Sequence, residues 1–284
     1  RHYFSEALHI DPNYAAAHAG MSDALAARAF WFMAHPHEVA DRVLCAALEA
    51  ERCDPQSPEA HMLLGAIAIY FQRDWKEAES RLNLAIELNP SLSHARLQYA
   101  LFLAMQRRPM VQDEIDLAIR CDPLNPALMY LSALWNSFDG KDQKAESDID
   151  MTLELAPGHP PATQLRADLA WRRQGGDALD RERACWSSVR NVLEALESAD
   201  DPRVMRTAAE ALTGNARSHY VAPLQIARLW ALGGQYDRAL QTLEAAVADD
   251  NLMQLDLLQL TPPFDPLRSD ARFCSLVASL GMPP

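Results

Sequence analysis

No run of lysine and arginine occurs in this sequence, and with it is missing the electrostatic footprint that a nucleic-acid partner needs. The 284 residues carry a formal net charge of −13, so the segment is expected to make no direct contact with nucleic acid. Cysteine is sparse: Cys45, Cys53, Cys121, Cys185 and Cys274 are scattered, with no C-x-x-C pair. An odd number at irregular spacing argues against a disulfide framework or a zinc site and fits a reducing cytoplasm. Long apolar runs are also lacking. The longest, Met62 to Phe71, is interrupted by Gly65 and is about half of the ~20 residues that a membrane span requires. Neither a transmembrane helix nor a signal peptide is expected.

Catalytic signatures are missing as well. The chain holds no G-x-S-x-G, H-E-x-x-H, Walker loop or G-x-G-x-x-G. Gly175-Gly176 reads as a turn between helices, because no strand precedes it to make a phosphate cradle. Among nine histidines only His35 and His37, around Pro36, are close in sequence, and they lack a third ligand for a metal. The expectation is a protein that is not an enzyme, with no cofactor and no metal.

What is present is a periodic helical pattern. Hydrophobic residues make up 49% and charged residues 23%, the balance of a folded chain. An acidic or polar residue followed by proline closes successive apolar helical stretches at Asp11-Pro12, Asp54-Pro55, Asn89-Pro90 and Asp122-Pro123, with Ala156-Pro157 continuing the series. The steps between these prolines are 43, 35, 33 and 34 residues. Proline suits the place because it cannot donate to a continuing helix. The excess in the first step is placed around Phe30 to Pro36, where a first helix runs long before Pro36 starts its partner. Within one period, Ala127 to Phe138 reads as a helix, Gly140-Lys141-Asp142 as a turn and Gln143 to Leu155 as a second helix. The chain opens on Arg1, and its first residues read as the second helix of a hairpin, so a longer parent protein is expected.

A period near 34 residues resembles that of the tetratricopeptide family. Ala133, Ala145 and Thr152 stand where that family favours small residues, and Ala227, Gly234, Tyr236, Ala239 and Ala246 fill its small, turn and aromatic places in a hairpin from Tyr220 to Asp250. The implied fold is all-α: an α-solenoid of tetratricopeptide-like hairpins with a C-terminal capping helix. The segment Tyr70-Phe71-Gln72-Arg73-Asp74-Trp75-Lys76-Glu77-Ala78-Glu79 and the tail Pro263-Phe264-Asp265-Pro266-Leu267-Arg268, closing on Leu280-Gly281-Met282-Pro283, carry a narrower resemblance. They are similar to the repeat region that follows the winged-helix domain of bacterial ToxR- and CadC-type regulators, also found appended to some adenylate cyclases and kinases. Phe273, Leu276, Val277 and Leu280 share one helix face, with Ser269 as the expected N-cap. The apolar segment Leu252 to Leu260 is expected to pack under the Pro262-Pro263 turn, with an exposed partner site as the alternative. The organisation expected is repeats over 1–174, a degenerate repeat or hinge over 175–219, around Asp180-Arg181-Glu182-Arg183 and Pro202 to Leu212, and a terminal hairpin with cap over 220–284.

The resemblance further implies that the first helix of each hairpin lines a concave groove. Its groove places fall on Asp23, Glu59, Met62, His94, Tyr130, Ser137, Gln164, Asp168, Trp171 and Arg228. Gripping an acidic C-terminal peptide needs several charge-assisted donors, and only Arg228 in this set is basic. A cationic or mixed polar protein or peptide, or a helix with an apolar stripe, is the expected partner, with a small-molecule effector as a further option. The run Glu146, Asp148, Asp150 and Glu154 reads as a solvated helix face, with partner steering as the alternative, and the tryptophans, Trp171 excepted, read as hairpin core. The functional expectation is a cytoplasmic, non-catalytic regulatory domain of a bacterial transcriptional regulator. A free-standing scaffold, or an accessory region of a cyclase or kinase, are the alternatives.

Overall fold

The computed structural model describes residues 2–30, 34–174, 209, 222–249 and 255–283. Expectations placed on Trp31 to Met33, on Gly175-Gly176, on the charged stretch Asp180 to Arg183, on Trp186 and on Pro202 to Leu212 apart from Ala209 lie outside these residues. The described residues are helical with no strand, and the fold is an all-α solenoid of antiparallel hairpins. They group into two compact units, 2–122 and 123–283. No described helix is long and apolar enough to cross a membrane.

In the first unit, helix α1 (His2–Ile10) is followed by hairpins of α2 (Ala15–Phe30) with α3 (Pro36–Cys53), of α4 (Pro58–Ile67) with α5 (Trp75–Leu88), and of α6 (Ser93–Met105) with α7 (Val111–Cys121). Helix α4 continues into a π-helical turn, Ala68–Gln72, and Arg73 then takes a left-handed conformation that turns the chain into α5. The second unit contains α8 (Pro126–Phe138) with α9 (Asp142–Leu155), then α10 (Pro160–Gln174), then α11 (Pro223–Leu232) with α12 (Tyr236–Ala248). Two 3-10 segments, Leu255–Leu260 and Pro262–Leu267, lead to the last helix, α13 (Ala271–Ser279).

The acid-proline punctuation has a direct physical cause. Asp54, Asn89 and Asp122 are helix C-caps whose N–H groups still bond to Ala50, Ala85 and Ala118 while their own backbone is extended or irregular. The side chains of Asp11, Asp54 and Asn89 then accept the N–H of the residue two places on, at 3.0, 3.0 and 3.1 Å. Each therefore makes an Asx turn around a proline that has no N–H to satisfy. Six residues beyond the proline, a side chain reaches back to its carbonyl: His18 to Pro12 at 2.8 Å, His61 to Pro55 at 3.0 Å and Arg96 to Pro90 at 2.7 Å. The joint between hairpins is thus bonded on both sides.

Small residues let the paired helices approach. Ala60, Ala78, Ala85, Ala133, Ala145, Thr152, Ala227 and Ala239 have no measurable exposure. At Gly65 a Cβ atom would stand 2.7 Å from the Leu82 Cγ, so α4 meets α5 at the distance only glycine allows. Gly234 adopts φ +70° in the turn between α11 and α12, a conformation that costs other residues roughly 1–2 kcal/mol.

The final helix buries Phe273, Leu276, Val277 and Leu280, the face expected of a cap. Its N-cap is Asp270 rather than Ser269: the carboxylate accepts the N–H groups of Arg272 and Phe273 at 2.8 and 3.3 Å. The carboxylate also suits the positive end of the helix dipole better than a hydroxyl. Asp142 opens α9 rather than closing the turn before it.

Candidate partner-binding surface

In the first unit the first helices are neighbours. Helix α2 packs on α4 and α4 on α6, and no comparable packing joins α3 to α5 or α5 to α7. Helices closer on one side than on the other make that side concave. Tyr70 donates to Gln98 Oε1 at 3.0 Å and ties the end of the α4 turn to α6. Three of the expected groove residues, Asp23 on α2, Glu59 in the first turn of α4 and His94 at the start of α6, are exposed. Glu59 lies 3.3 Å from the hydroxyl of Ser57, the N-cap of α4. Met62, one turn on, is half-buried and packs against the core built by Leu25, Val39, Val43, Leu63 and Ile67.

In the second unit the expected groove residues converge on one another. Arg228 on α11 and Asp168 on α10 are buried, with 1% and 3% exposure, and form an ion pair in which Arg228 Nε donates to Asp168 Oδ2 at 3.3 Å and Nη2 to Oδ1. With its amide oxygen turned to the guanidinium, Gln164 accepts from Nε and Nη1 at 3.0 and 3.2 Å, and it meets the Gln225 amide at 3.0 Å. Tyr130 on α8 lies beside the pair; burial, then the Asp168 charge, push its phenol well above the ordinary range. Its ring tilts over His159 with centroids 5.4 Å apart. Ser137 is also buried. Trp171 lies on α10.

The C-terminal segment packs on the same helices. The 3-10 turn Leu255–Leu260 lies against α8 and α11, and Pro262–Leu267 lies against α10 and α11. Leu255, Leu258, Leu260, Pro262, Pro263, Phe264 and Leu267 are buried there. Arg172 fastens the segment: Nη1 donates to the Ser137 carbonyl and to Asp142, both at 2.9 Å, and Nε pairs with Asp265 at 3.0 Å. The Arg268 guanidinium sits 4.8 Å above the Phe138 ring and bonds to Asp265 at 2.6 Å. The second unit thus covers its own first helices, and Arg228, the one basic groove place, is already neutralised by Asp168.

The acidic run on α9 is not a uniformly solvated face. Asp148 is 5% exposed and accepts from Ser132 Oγ at 2.7 Å, from Asn136 Nδ2 at 3.1 Å and from Lys144. This carboxylate cross-links α8 to α9 inside the hairpin. Asp150 and Glu154 remain exposed, while Glu146 pairs with Arg173 at 2.6 Å. The one-sided pattern of acids hid Asp148 because its polar partners come from the other helix.

No protein-family profile matches the chain, and no curated protein matches it. Among solved structures, it is similar to YrrB, described as a TPR protein with an unusual peptide-binding site. The TM-score is 0.42 at 15% identity, over 69% of this chain and 96% of that one. It is also similar to PilW, described as a widely conserved type IV pilus biogenesis factor, with a TM-score of 0.48 at 18% identity over 78% of this chain and 98% of that one.

Proposed function

We propose that this chain is a partner-binding repeat domain that regulates a larger protein, and that the partner binds the first-helix side of the first unit. The observation that carries the reading is the contrast between the two units. Asp23, Glu59 and His94 are left exposed on three successive first helices, whereas Asp168 and Arg228 are consumed by an internal ion pair under the chain's own C-terminal turns. Two exposed carboxylates, Glu59 among them one turn before the half-buried Met62, suit a segment that is cationic with an apolar stripe. An acidic peptide finds no cluster of donors on this side.

The regulatory context rests on the Asp74-Trp75 repeat variant and on the tail, which resemble the repeat region of winged-helix transcriptional regulators. On this reading the domain senses or contacts a protein and biases a separate output domain. The test has two arms. A basic amphipathic peptide library is screened against the chain and against the Asp23→Lys/Glu59→Lys variant. The double reversal is expected to weaken the selected peptides by about tenfold through lost electrostatic attraction. An unchanged peptide profile would overturn the placement of the surface. The coding region upstream supplies the second arm, where a gene with no output domain would remove the regulator reading and favour a free-standing scaffold.

A further inference from the structure

Within the first hairpin, one side chain of α2 meets two of α3 that lie some thirty residues further along the chain. His18 from α2 and Glu49 and Cys53 from α3 place their ligand atoms within 4.8 Å of one another, all three half-buried. Glu49 and Cys53 are one helical turn apart and share a face. We propose that these three residues form a site for a zinc-class divalent transition metal, with imidazole nitrogen, carboxylate oxygen and thiolate as protein ligands and an open fourth position.

The donor set is that of zinc: borderline-soft, mixed nitrogen, oxygen and sulfur, with bonds of roughly 2.0–2.3 Å. Those bonds hold neighbouring ligands about 3.5 Å apart, so rotamer adjustment of half-exposed side chains is enough to close the site. The outer shell is in place. The Pro12 carbonyl accepts from His18 Nε2 at 2.8 Å, which sets the tautomer, orients the ring and leaves Nδ1 for a metal, the usual role of a carbonyl behind a metal-bound histidine.

Comparison among the hairpins separates this cluster from the needs of the scaffold. His61 and Arg96 hold the proline carbonyl in the same way, but their other partners make ordinary polar ties. Arg81 Nη1 meets His61 Nδ1 at 3.0 Å and pairs with Glu51, and Arg96 pairs with Glu114 at 2.5 Å. Only the first of the three presents three metal-ligating groups at this place. A cation is drawn there already. Arg52, whose side chain is 58% exposed, donates from Nε to Glu49 at 2.8 Å and from Nη2 to the Cys53 sulfur at 3.4 Å and to Asn13 Oδ1 at 3.2 Å. An exposed guanidinium pair is worth little, so a divalent ion displaces it. Binding releases the Cys53 thiol proton to solvent, and affinity therefore rises with pH.

The experiment is a Co²⁺ titration of the whole chain followed by optical absorption, with Zn²⁺ as competitor. One equivalent is expected to give a thiolate-to-cobalt charge-transfer band and the visible bands of a low-coordinate ion, both bleached by Zn²⁺. Cys53→Ser removes the charge-transfer band, and His18→Gln and Glu49→Gln weaken binding with the helical circular dichroism retained. Arg52→Gln tightens it, because a competing cation is gone. Cys45→Ser, an exposed thiol elsewhere on α3, leaves the titration unchanged. A flat titration of the wild-type chain would overturn the site, as would a band that follows Cys45 rather than Cys53, or an Arg52→Gln variant that binds more weakly.

Discussion

At Arg228 a guanidinium and a carboxylate face each other with almost no solvent, and the cost of desolvating both is offset only while both are present. Asp168→Ala therefore leaves a buried cation and is expected to lower stability by about 3–5 kcal/mol in urea denaturation. Replacing both partners, Asp168→Leu with Arg228→Met, is expected to lose much less, since two apolar groups need no pairing. A single substitution costing under about 1 kcal/mol would show that water reaches the pair. These two residues were legible from the repeat register as first-helix positions. Their burial was not, because each is covered by a partner 60 residues away in the chain. Asp148 was hidden in the same way: its donors Ser132 and Asn136 lie on the facing helix.

Helix starts carry a pH dependence. His35 is the N-cap of α3, with Nδ1 accepting the His37 N–H at 3.3 Å, and His159 precedes α10, with Nδ1 accepting the Ala162 N–H at 3.2 Å. Protonation would remove both acceptors and place a positive charge at the positive end of each helix. Burial lowers the pKa of both rings, and the neighbouring His37 lowers that of His35 further. The unfolded chain, with histidine near 6.5, takes up these protons first, so stability present above that pH is lost as the pH falls below it. His35→Asn/His159→Asn keeps a cap at every pH. The variant is expected to flatten the fall in urea midpoint between about pH 7 and pH 5; a slope equal to that of the wild type would exclude these caps as the cause. At this scale the sequence was most readable. Acid-proline pairs mark helix ends because an Asx turn and a missing N–H act together, and Pro36 does open α3 as its fixed φ favours. The last cap was misplaced by one residue, since Ser269 and Asp270 compete for the same role and only the backbone decides.

Within the second unit, non-repeating turns lie on the repeat helices. A period repeated along the chain reveals a solenoid, but a period cannot say which stretch is later covered by a non-repeating tail. Phe264 shows what the covering contributes: it has no exposure, and its ring stacks at a tilt on Phe273, 6.2 Å away. Phe264→Ala is expected to cost about 3–5 kcal/mol in thermal or urea unfolding, with increased dye binding as the first helices of the second unit become wetted. A variant of wild-type stability would mean that the turns rest loosely on α8, α10 and α11.

The six-residue reach from His18, His61 and Arg96 back to a proline carbonyl bears on how such a chain can change length over time. Those ties have the same span in each of the three places, while the nine residues by which the first step exceeds 34 are absorbed where α2 and α3, 16 and 18 residues long, outgrow α6 and α7 at 13 and 11. Insertions and deletions are therefore tolerable at the tip of a hairpin and ruinous at its root. A library of random single-codon insertions should survive selection in that pattern.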